Sequence, residues 1–329
     1  MLKLKGPSMG ISGRFKLDVL NSKGKLVEDK CLPEQKNLVT ESGLSQFLSN
    51  NSTSFRLALG TGSTPPQRED VMLDNFLTYS PDAYGTSFTG LGYVTRIDST
   101  SYESTREFVF DLGQVVGNIT ELGLVYGFGY NETPTLVTRA LIKDALGNAT
   151  SIELLEDEQL RVTYTLQMKI SDSSEPYTLS VNNDGTLEEH TVTPFFAWRD
   201  LDYNYGFFVG RNVNYLHQAI CTSLASDRSI SSTGDSGNVG NGSFSEDRKT
   251  YSIEFEVYAG INKWNGETAW VGVLDHMRPG KVGSFSYNSS TGSYSTGSTT
   301  FIWQIDPPIT KTNDQVMEIT CSLSVTYGD

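Results

Sequence analysis

Few residues in this chain have the types and spacing that catalysis or metal binding requires. The three histidines are His190, His217 and His276, and the chain has no His-x-x-x-His, Glu-x-x-His or Cys-x-x-Cys spacing that would place two metal ligands on one helical turn. The chain also has no phosphate loop ending in Gly-Lys-Ser or Gly-Lys-Thr and no Gly-x-Ser-x-Gly turn. The sequence therefore predicts no metal site, no cofactor and no catalytic residue, and hence no enzyme.

Two arrangements come closest to a chemical site. His217 stands four residues before Cys221 in a predicted helix, which would bring a base near a thiol, but no electropositive setting for a thiolate is evident. We therefore interpret the pair as part of a helix interior. Glu156, Asp157 and Glu158 form an acidic run before a strand, and adjacent acids at a turn are typical of a solvated edge rather than of a general acid and base.

The remaining candidates are contact residues. Tyr287 and Tyr294 lie in a stretch, 284–300, in which 11 of 17 residues are Ser or Thr, and Tyr with Ser and Gly is the composition of adaptable recognition loops. Trp264 stands at a predicted hairpin tip, where it could stack on a sugar or a partner. Two interpretations stay open: the three aromatic residues contact a partner, or the loop only solubilises the chain and Trp264 folds back on its sheet.

Length, composition and charge limit the class of protein. A chain of 329 residues exceeds the roughly 250–300 at which one hydrophobic core stops growing, so we expect two domains. A net charge of −14, with scattered Lys and Arg, argues against a nucleic-acid partner. No apolar run of about 18 residues is present, so we expect no membrane insertion, and the first residues lack a secretory pattern. We expect synthesis and folding in a cytoplasm.

Strict alternation of apolar and polar residues predicts strands with one buried face. One such strand places Val162, Tyr164, Leu166 and Met168 inward, and another does so with the set Ile319, Cys321, Leu323 and Val325. The inward position of Cys321 favours a buried small hydrophobe over a disulfide.

The sequence of the second of these strands is similar to that of the first, and a further pair of segments, one from each half of the chain, is also similar. The residues Phe108, Phe110 and Leu112 correspond to Ile253, Phe255 and Val257. Order is kept while loop lengths differ, which is how two copies of a β-domain diverge. We therefore predict a mostly β fold of two tandem antiparallel β-sandwich-like domains, 1–195 and 196–329, the second a divergent duplicate. An equivalent of Leu59-Gly60 is expected at Val209-Gly210.

A few short helices are expected beside the strands. Thr40 is a suitable N-cap for a helix that buries Leu44, Phe47 and Leu48. A short helix is also predicted through Val71, Leu73 and Phe76. The strongest helical pattern covers residues 213–226. Residues 13–30 are predicted to form two short strands around an Asn-Ser-Lys-Gly turn.

Several segments of the first half match one known family in order. They are N-L-V-T-x-x-G-L at 37–44, L-G-T-G-S-x-P-P at 59–66 with Asp70 and Leu73 following, GNITELGLVYG from Gly117, LVTRALIKDALGNATSI from Leu136, and EDEQLRVTYTLQM ending at Met168. Over roughly residues 12–170, the chain resembles the tail-associated structural proteins of tailed bacteriophages, which include tail fibre and other virion structural proteins. The resemblance implies a virion component that works through contacts and has no chemistry of its own.

The sequence thus predicts a structural protein of a phage tail, collar, baseplate or fibre-attachment region, located in the virion after synthesis in the bacterial cytoplasm. Its partners would be other virion proteins and copies of itself. A rival hypothesis is an adhesin that binds host-surface glycan through loops 232–243 and 284–300. A third is a hydrolase of cell-surface polysaccharide, which would need paired carboxylates in a groove.

Overall fold

In a computed structural model the chain folds mostly into β-strands arranged in antiparallel sheets, as the alternation predicts. The structure describes residues 2–49, 55–80, 94–98, 100–127, 134–170, 175–196, 218–221, 238–239, 242–259, 266–274, 287–288, 293–294 and 299–328. Within these ranges there is one α-helix, and no helix is long and apolar enough to cross a membrane.

The described residues of the first half of the chain form thirteen strands and the helix. Their bounds are β1 Leu2–Asn21, β2 Leu32–Lys36, β3 Leu38–Val39, α1 Glu41–Ser49, β4 Phe55–Gly60, β5 Phe76–Tyr79, β6 Val94–Arg96, β7 Ser101–Phe110, β8 Gly117–Ile119, β9 Glu121–Tyr126, β10 Thr135–Leu136, β11 Thr138–Leu141, β12 Ile152–Leu154 and β13 Glu158–Ile170.

The second half contributes only strands to the described residues. Their bounds are β14 Tyr177–Asn183, β15 Thr186–Phe196, β16 Gln218–Cys221, β17 Asn238–Val239, β18 Ser243–Phe244, β19 Thr250–Ala259, β20 Gly266–Leu274, β21 Tyr287–Asn288, β22 Ser293–Tyr294, β23 Thr299–Lys311 and β24 Met317–Tyr327.

The described residues fall into two compact units. The N-terminal unit contains residues 10–169 and 326–328, and the C-terminal unit contains residues 2–9, 170–196 and 218–325. Strand β1 therefore supplies residues to both units. The tandem boundary near residue 195 stays a prediction.

The N-terminal unit is built from two main sheets. One has the strand order β2-β1-β13-β7-β6, and the other has the order β3-β11-β9-β4-β5 with β10 beside β9. The phenol of Tyr164 joins them, because this side chain on β13 is fully buried and its hydroxyl hydrogen-bonds Thr138 of β11 at 2.7 Å. Asn37 also donates to this hydroxyl, and Phe108 packs edge-on against the ring. Burial raises the pKa of the phenol, which therefore stays neutral.

Helix α1 begins where the capping pattern predicts. The Thr40 hydroxyl accepts the N–H of Gly43 at 3.0 Å and donates to the Leu136 carbonyl at 2.7 Å, so the cap also fixes the helix to the neighbouring backbone. Leu44 and Phe47 are buried, as predicted, while the side chain of Leu48 lies outside the described residues.

The C-terminal unit also contains two main sheets. One has the order β17-β19-β24 followed by residues 2–9 of β1, with β18 also on β19, and the other has the order β14-β15-β23-β20-β16. The predicted inward residues of β24 are buried, and Cys321 is fully buried as a free thiol whose pKa burial raises. Trp303 is fully buried and donates its indole N–H to the Lys5 carbonyl at 2.7 Å.

Equivalent strand pairs occur in each unit at the places where the sequence repeats. Strand β7 pairs with β13 in the N-terminal unit, and β19 lies next to β24 in the C-terminal unit. Strand β4 pairs with β9 so that Ala58 opposes Gly123, and β16 pairs with β20 so that Ala219 opposes Gly272. In this register Ile220 matches Leu59. The sequence predicts the match at Val209-Gly210 instead, and these two residues lie outside the described ranges.

Three local predictions are wrong. Residues 218–221, inside the helix predicted at 213–226, form strand β16, and the rest of that segment lies outside the described residues. Residues 71–75 form turns and irregular backbone instead of a helix. The chain after the Asn21–Gly24 turn forms a 3-10 helix, Glu28–Lys30, instead of a second strand, although Gly24 has the expected positive φ of 71°.

Two predictions about side chains at the end of β7 and the start of β13 also need correction. Leu112 is 49% exposed because β7 ends at Phe110. Glu158 is 6% exposed rather than solvated, since its carboxylate accepts Lys30 at 2.7 Å and the N–H of Leu155 at 2.9 Å.

Candidate functional site

A buried carboxylate organises the loop between β4 and β5. Glu121, the first residue of β9, is fully buried and accepts hydrogen bonds from backbone N–H groups on both sides of the loop. Its Oε1 accepts Gly62 at 3.0 Å and Asn75 at 2.8 Å, and its Oε2 accepts Asp74 at 3.2 Å. One side chain thereby satisfies donors that an irregular loop would otherwise leave without partners.

Arg139 completes this buried cluster. Its guanidinium, on β11, donates to the Glu121 carboxylate at 2.9 Å, to the Asp70 carboxylate at 2.7 Å and to the Thr64 carbonyl at 3.1 Å. Burial lowers the pKa of Arg139, but hydrogen bonds to Asp70 and Glu121 outweigh it and leave that pKa raised, so the group stays charged. A buried ion pair with all of its hydrogen bonds made holds its members in one arrangement.

A second carboxylate fixes the exposed side of the loop. Asp74 accepts the backbone N–H groups of Ser63 and Thr64, each at 3.2 Å. Gly62 lies so close to Glu121 and Asp74 that a side chain at position 62 would overlap both. We define the segment 61–77, held in this way, as the clamped loop.

The acid stability of the clamped loop is predictable from Asp74. Hydrogen bonds from the Thr64 side chain, the Thr64 backbone and the Ser63 backbone lower the pKa of Asp74 below its ordinary value of 3.8. A carboxyl whose folded-state pKa is depressed stabilises the fold above the unfolded-state pKa and loses that contribution as pH falls through the folded-state pKa. We expect the melting temperature of Asp74→Asn to lie below that of the wild type by a constant margin from pH 7 to about 5, with the margin closing below about pH 4. A margin that is absent at pH 7 would contradict the expectation.

The clamped loop presents large apolar side chains to solvent. Val71 is 68% exposed, Met72 66%, Phe76 43% and Leu77 45%, so four of the twelve exposed large hydrophobic side chains in the described ranges lie within seven residues. Leu73 between them is buried against a small apolar cluster and anchors the segment. A rigid loop that exposes adjacent apolar side chains is typical of a protein interaction site.

The counterpart positions in the C-terminal unit carry no such ion pair. The two units can be aligned on the strand pairs in which Ala58 opposes Gly123 and Ala219 opposes Gly272. In this alignment Trp270 of β20 matches Glu121 of β9, and Ile302 of β23 matches Arg139 of β11. Among the described residues, the ion pair that holds the clamped loop is therefore found in the N-terminal unit, at positions where the C-terminal unit has apolar residues.

Of the contact residues predicted from sequence, Tyr287 and Tyr294 oppose one another as register partners in the small hairpin β21–β22, and Trp264 lies outside the described residues. Glu121 and Arg139 were not predicted from the sequence as site residues, although each is a charged residue that directly precedes apolar residues of its strand.

The chemical candidates lie elsewhere. His190 is 2% exposed and therefore occupies a core position. It donates from Nδ1 to the Pro307 carbonyl at 2.7 Å, and its Nε2 lies 3.8 Å from the Glu188 carboxylate. His217 and His276 are outside the described residues. In the part of the chain that the structure describes, no three His, Cys, Asp or Glu side chains are grouped to hold a metal ion.

No family model, no curated protein and no solved structure matches this chain.

Proposed function

We propose that this protein is a structural component of a bacteriophage virion, in the tail, collar, baseplate or fibre-attachment region, and that it acts through protein–protein contacts without catalysis. Its partners are other virion proteins and copies of itself. It reaches the virion after synthesis in the host cytoplasm.

The observation that carries the proposal is the clamped loop. Buried charges are expensive to desolvate, and here Glu121 and Arg139 are buried in order to fix an irregular surface segment. That segment exposes Val71 and Met72, which a solvated loop has no reason to carry. A preformed apolar surface lowers the ordering cost of binding, which suits assembly by surface fit.

The same residues account for the segments that resemble tail-associated proteins. The L-G-T-G-S-x-P-P run and Asp70 form the clamped loop, and the runs from Gly117 and Leu136 supply Glu121 and Arg139. These segments are distant in sequence and meet at one site, which is the arrangement expected when a motif describes an interaction surface.

Particle incorporation tests the proposal. In phage particles assembled with Met72→Asp, we expect the copy number of the chain, measured by quantitative mass spectrometry, to fall about tenfold or more, because truncating or charging a central apolar contact costs on the order of 2 kcal/mol of binding. The purified variant should remain folded, since a substitution at an exposed position changes stability by only about 0.5 kcal/mol.

Leu146→Asp is the matched control, because Leu146 is 86% exposed at a hairpin tip of the same unit and the charge change is identical. Full incorporation of the Leu146 variant with loss of the Met72 variant supports the contact. Equal incorporation of both variants would remove the clamped loop as the contact surface.

A second candidate function is a receptor- or glycan-binding adhesin of the tail. The observation that favours it is the register of β21–β22, which places Tyr287 opposite Tyr294 in a Ser- and Thr-rich segment. Glycan-array binding that is lost in Tyr287→Ala and Tyr294→Ala would support this function. Absence of binding on the array, together with stoichiometric incorporation into particles, would leave the structural role.

A further inference from the structure

Strand β14 is an open edge of the C-terminal unit. It is the terminal strand of the five-stranded sheet and pairs only with β15 among the described strands. The β14–β15 register runs without a shift from Tyr177 opposite Val192 to Asn183 opposite Thr186. An unpaired edge of this kind presents a row of backbone donors and acceptors to any strand that reaches it.

The other edge strands of the described sheets are short or irregular. Strands β5 and β16 have four residues each, β6 has three, and β3, β17 and β18 have two each. The register of β5 on β4 and that of β2 on β1 both contain a shift. Short length and bulges are ways in which proteins protect sheet edges from other chains. Charged side chains and proline protect edges in the same way. Strand β14 has seven residues and contains no bulge, no proline and no charged side chain, so it has none of these four protections.

The hairpin turn determines which residues of β14 face outward. Asp184 and Gly185 form a two-residue turn with positive φ at both positions, and in such a hairpin the flanking pair, Asn183 and Thr186, exchanges both hydrogen bonds. Because bonded and non-bonded pairs alternate, the N–H and C=O groups of Thr178, Ser180 and Asn182 face away from β15.

We propose that β14 pairs antiparallel with β14 of a second copy of this chain, about a two-fold axis midway between the two Ser180 residues. This interface deepens the proposed function and rests on it for its biological role, since the second copy is one of the expected partners. Two-fold pairing is isologous, so the strand must be complementary to itself.

The sequence of β14 meets that requirement in one register. With Ser180 opposite Ser180, all seven residues are paired, and Leu179 faces Val181 across the interface. Both are half-buried in the single chain, so pairing covers apolar surface that is now partly exposed. On the other face Thr178 meets Asn182, and these are exposed polar side chains. Shifting the register by two residues leaves part of the strand unpaired.

Like charges meet only at the two ends of this contact, where Asp184 of one copy comes near Glu175 of the other, although the chain carries a net charge of −14. Strand β14 is uncharged, and the nearest acidic residues on its partner strand are Glu188 and Glu189 of β15. In the paired arrangement the two β15 strands are three strand spacings apart, about 14 Å, which exceeds the Debye length of about 8 Å at physiological salt.

Sedimentation of the purified full chain tests the interface. We expect a concentration-dependent dimer for the wild type and a dissociation constant raised at least about tenfold for Ser180→Pro, which removes an outward N–H that β15 does not use. Ser180→Ala keeps that N–H and should dimerise like the wild type. Tryptophan fluorescence, to which buried Trp303 one strand beyond β15 contributes, should be unchanged in both variants and reports that the sheet is intact.

Cysteine cross-linking tests the register. Opposed residues of a hydrogen-bonded antiparallel pair have Cα atoms about 5.5 Å apart, within disulfide range, so Ser180→Cys should cross-link two copies under mild oxidation. Thr178→Cys should not, because residue 178 faces residue 182, and the parent chain with its native cysteines is the blank.

A wild type that stays monomeric throughout the concentration range, or Ser180→Pro with an unchanged dissociation constant, would overturn the interface. Cross-linking at 178 but not at 180 would overturn the register and with it the proposed position of the two-fold axis. None of these outcomes bears on incorporation of Met72→Asp into particles, so failure of the interface and failure of the virion role are separable.

Discussion

Glu121→Gln is expected to lower the free energy of unfolding of the N-terminal unit by about 3 kcal/mol. Breaking a buried ion pair by removing one charge costs about 3–5 kcal/mol, and the lower end applies because Arg139 still reaches Asp70. The amide nitrogen of the new side chain would also face backbone donors, since both oxygens of Glu121 accept N–H groups of the clamped loop.

Urea unfolding followed by circular dichroism measures the loss, and hydrogen exchange measures its location. Amides of Gly62, Asp74 and Asn75 should exchange faster in the variant, because Glu121 is their acceptor. Glu153→Gln is the control, since Glu153 is exposed on β12 and its replacement should change stability by no more than about 0.5 kcal/mol. Unchanged exchange at Gly62 in the Glu121 variant would show that the carboxylate does not hold the loop.

Gly43→Ala is expected to destabilise the N-terminal unit by about 2 kcal/mol or more, at the upper end of overpacking costs. In an open helix the same change would stabilise by about 1 kcal/mol, because alanine has the higher helix propensity. Here a methyl group at position 43 would overlap the backbone carbonyl of Val137, which cannot rotate away as a flexible side chain can. The sign of the effect therefore distinguishes close packing of α1 from an ordinary surface helix.

Thermal and urea unfolding of Gly43→Ala should show the loss. Gln46→Ala, three residues further along the same helix and half-exposed, is the control and should be neutral or slightly stabilising. An increase in stability for Gly43→Ala would mean that α1 does not rest on Val137.

The parts of the fold that depend on local pattern could be predicted from sequence. The alternation that buries Val162, Tyr164 and Leu166 needs only one apolar face, and the structure confirms it. The Thr40 cap was predictable for the same reason, since a side-chain oxygen acts within three residues of its own position.

The helix predicted at 213–226 is wrong at residues 218–221 because its pattern was ambiguous. Ala219 and Ile220 fit an apolar helical stripe, yet a four-residue strand between polar neighbours gives a similar spacing. Pairing with β20, which lies some fifty residues later, decides the conformation, and a local pattern contains no information on that pairing.

The buried cluster that holds the clamped loop was not predicted because its members are far apart in sequence. Glu121 and Arg139 belong to neighbouring strands, while the loop amides that Glu121 holds come 46 to 59 residues earlier. Local pattern made Val71 and Phe76 one face of a helix, whereas Asp70 and Asp74 bond to the loop backbone and to Arg139. A charge that interrupts an apolar strand is the signal that could have indicated the pair.

Under the proposed virion role, the clamped loop is a contact surface in the assembled particle. Hydroxyl-radical footprinting of Met72 tests this most directly, because its side chain is 66% exposed in the single chain and methionine sulfur oxidises readily. We expect Met72 to be oxidised in the purified protein and protected in intact phage particles, with Leu146 at the hairpin tip modified equally in both. Equal oxidation of Met72 in the two states would contradict the account.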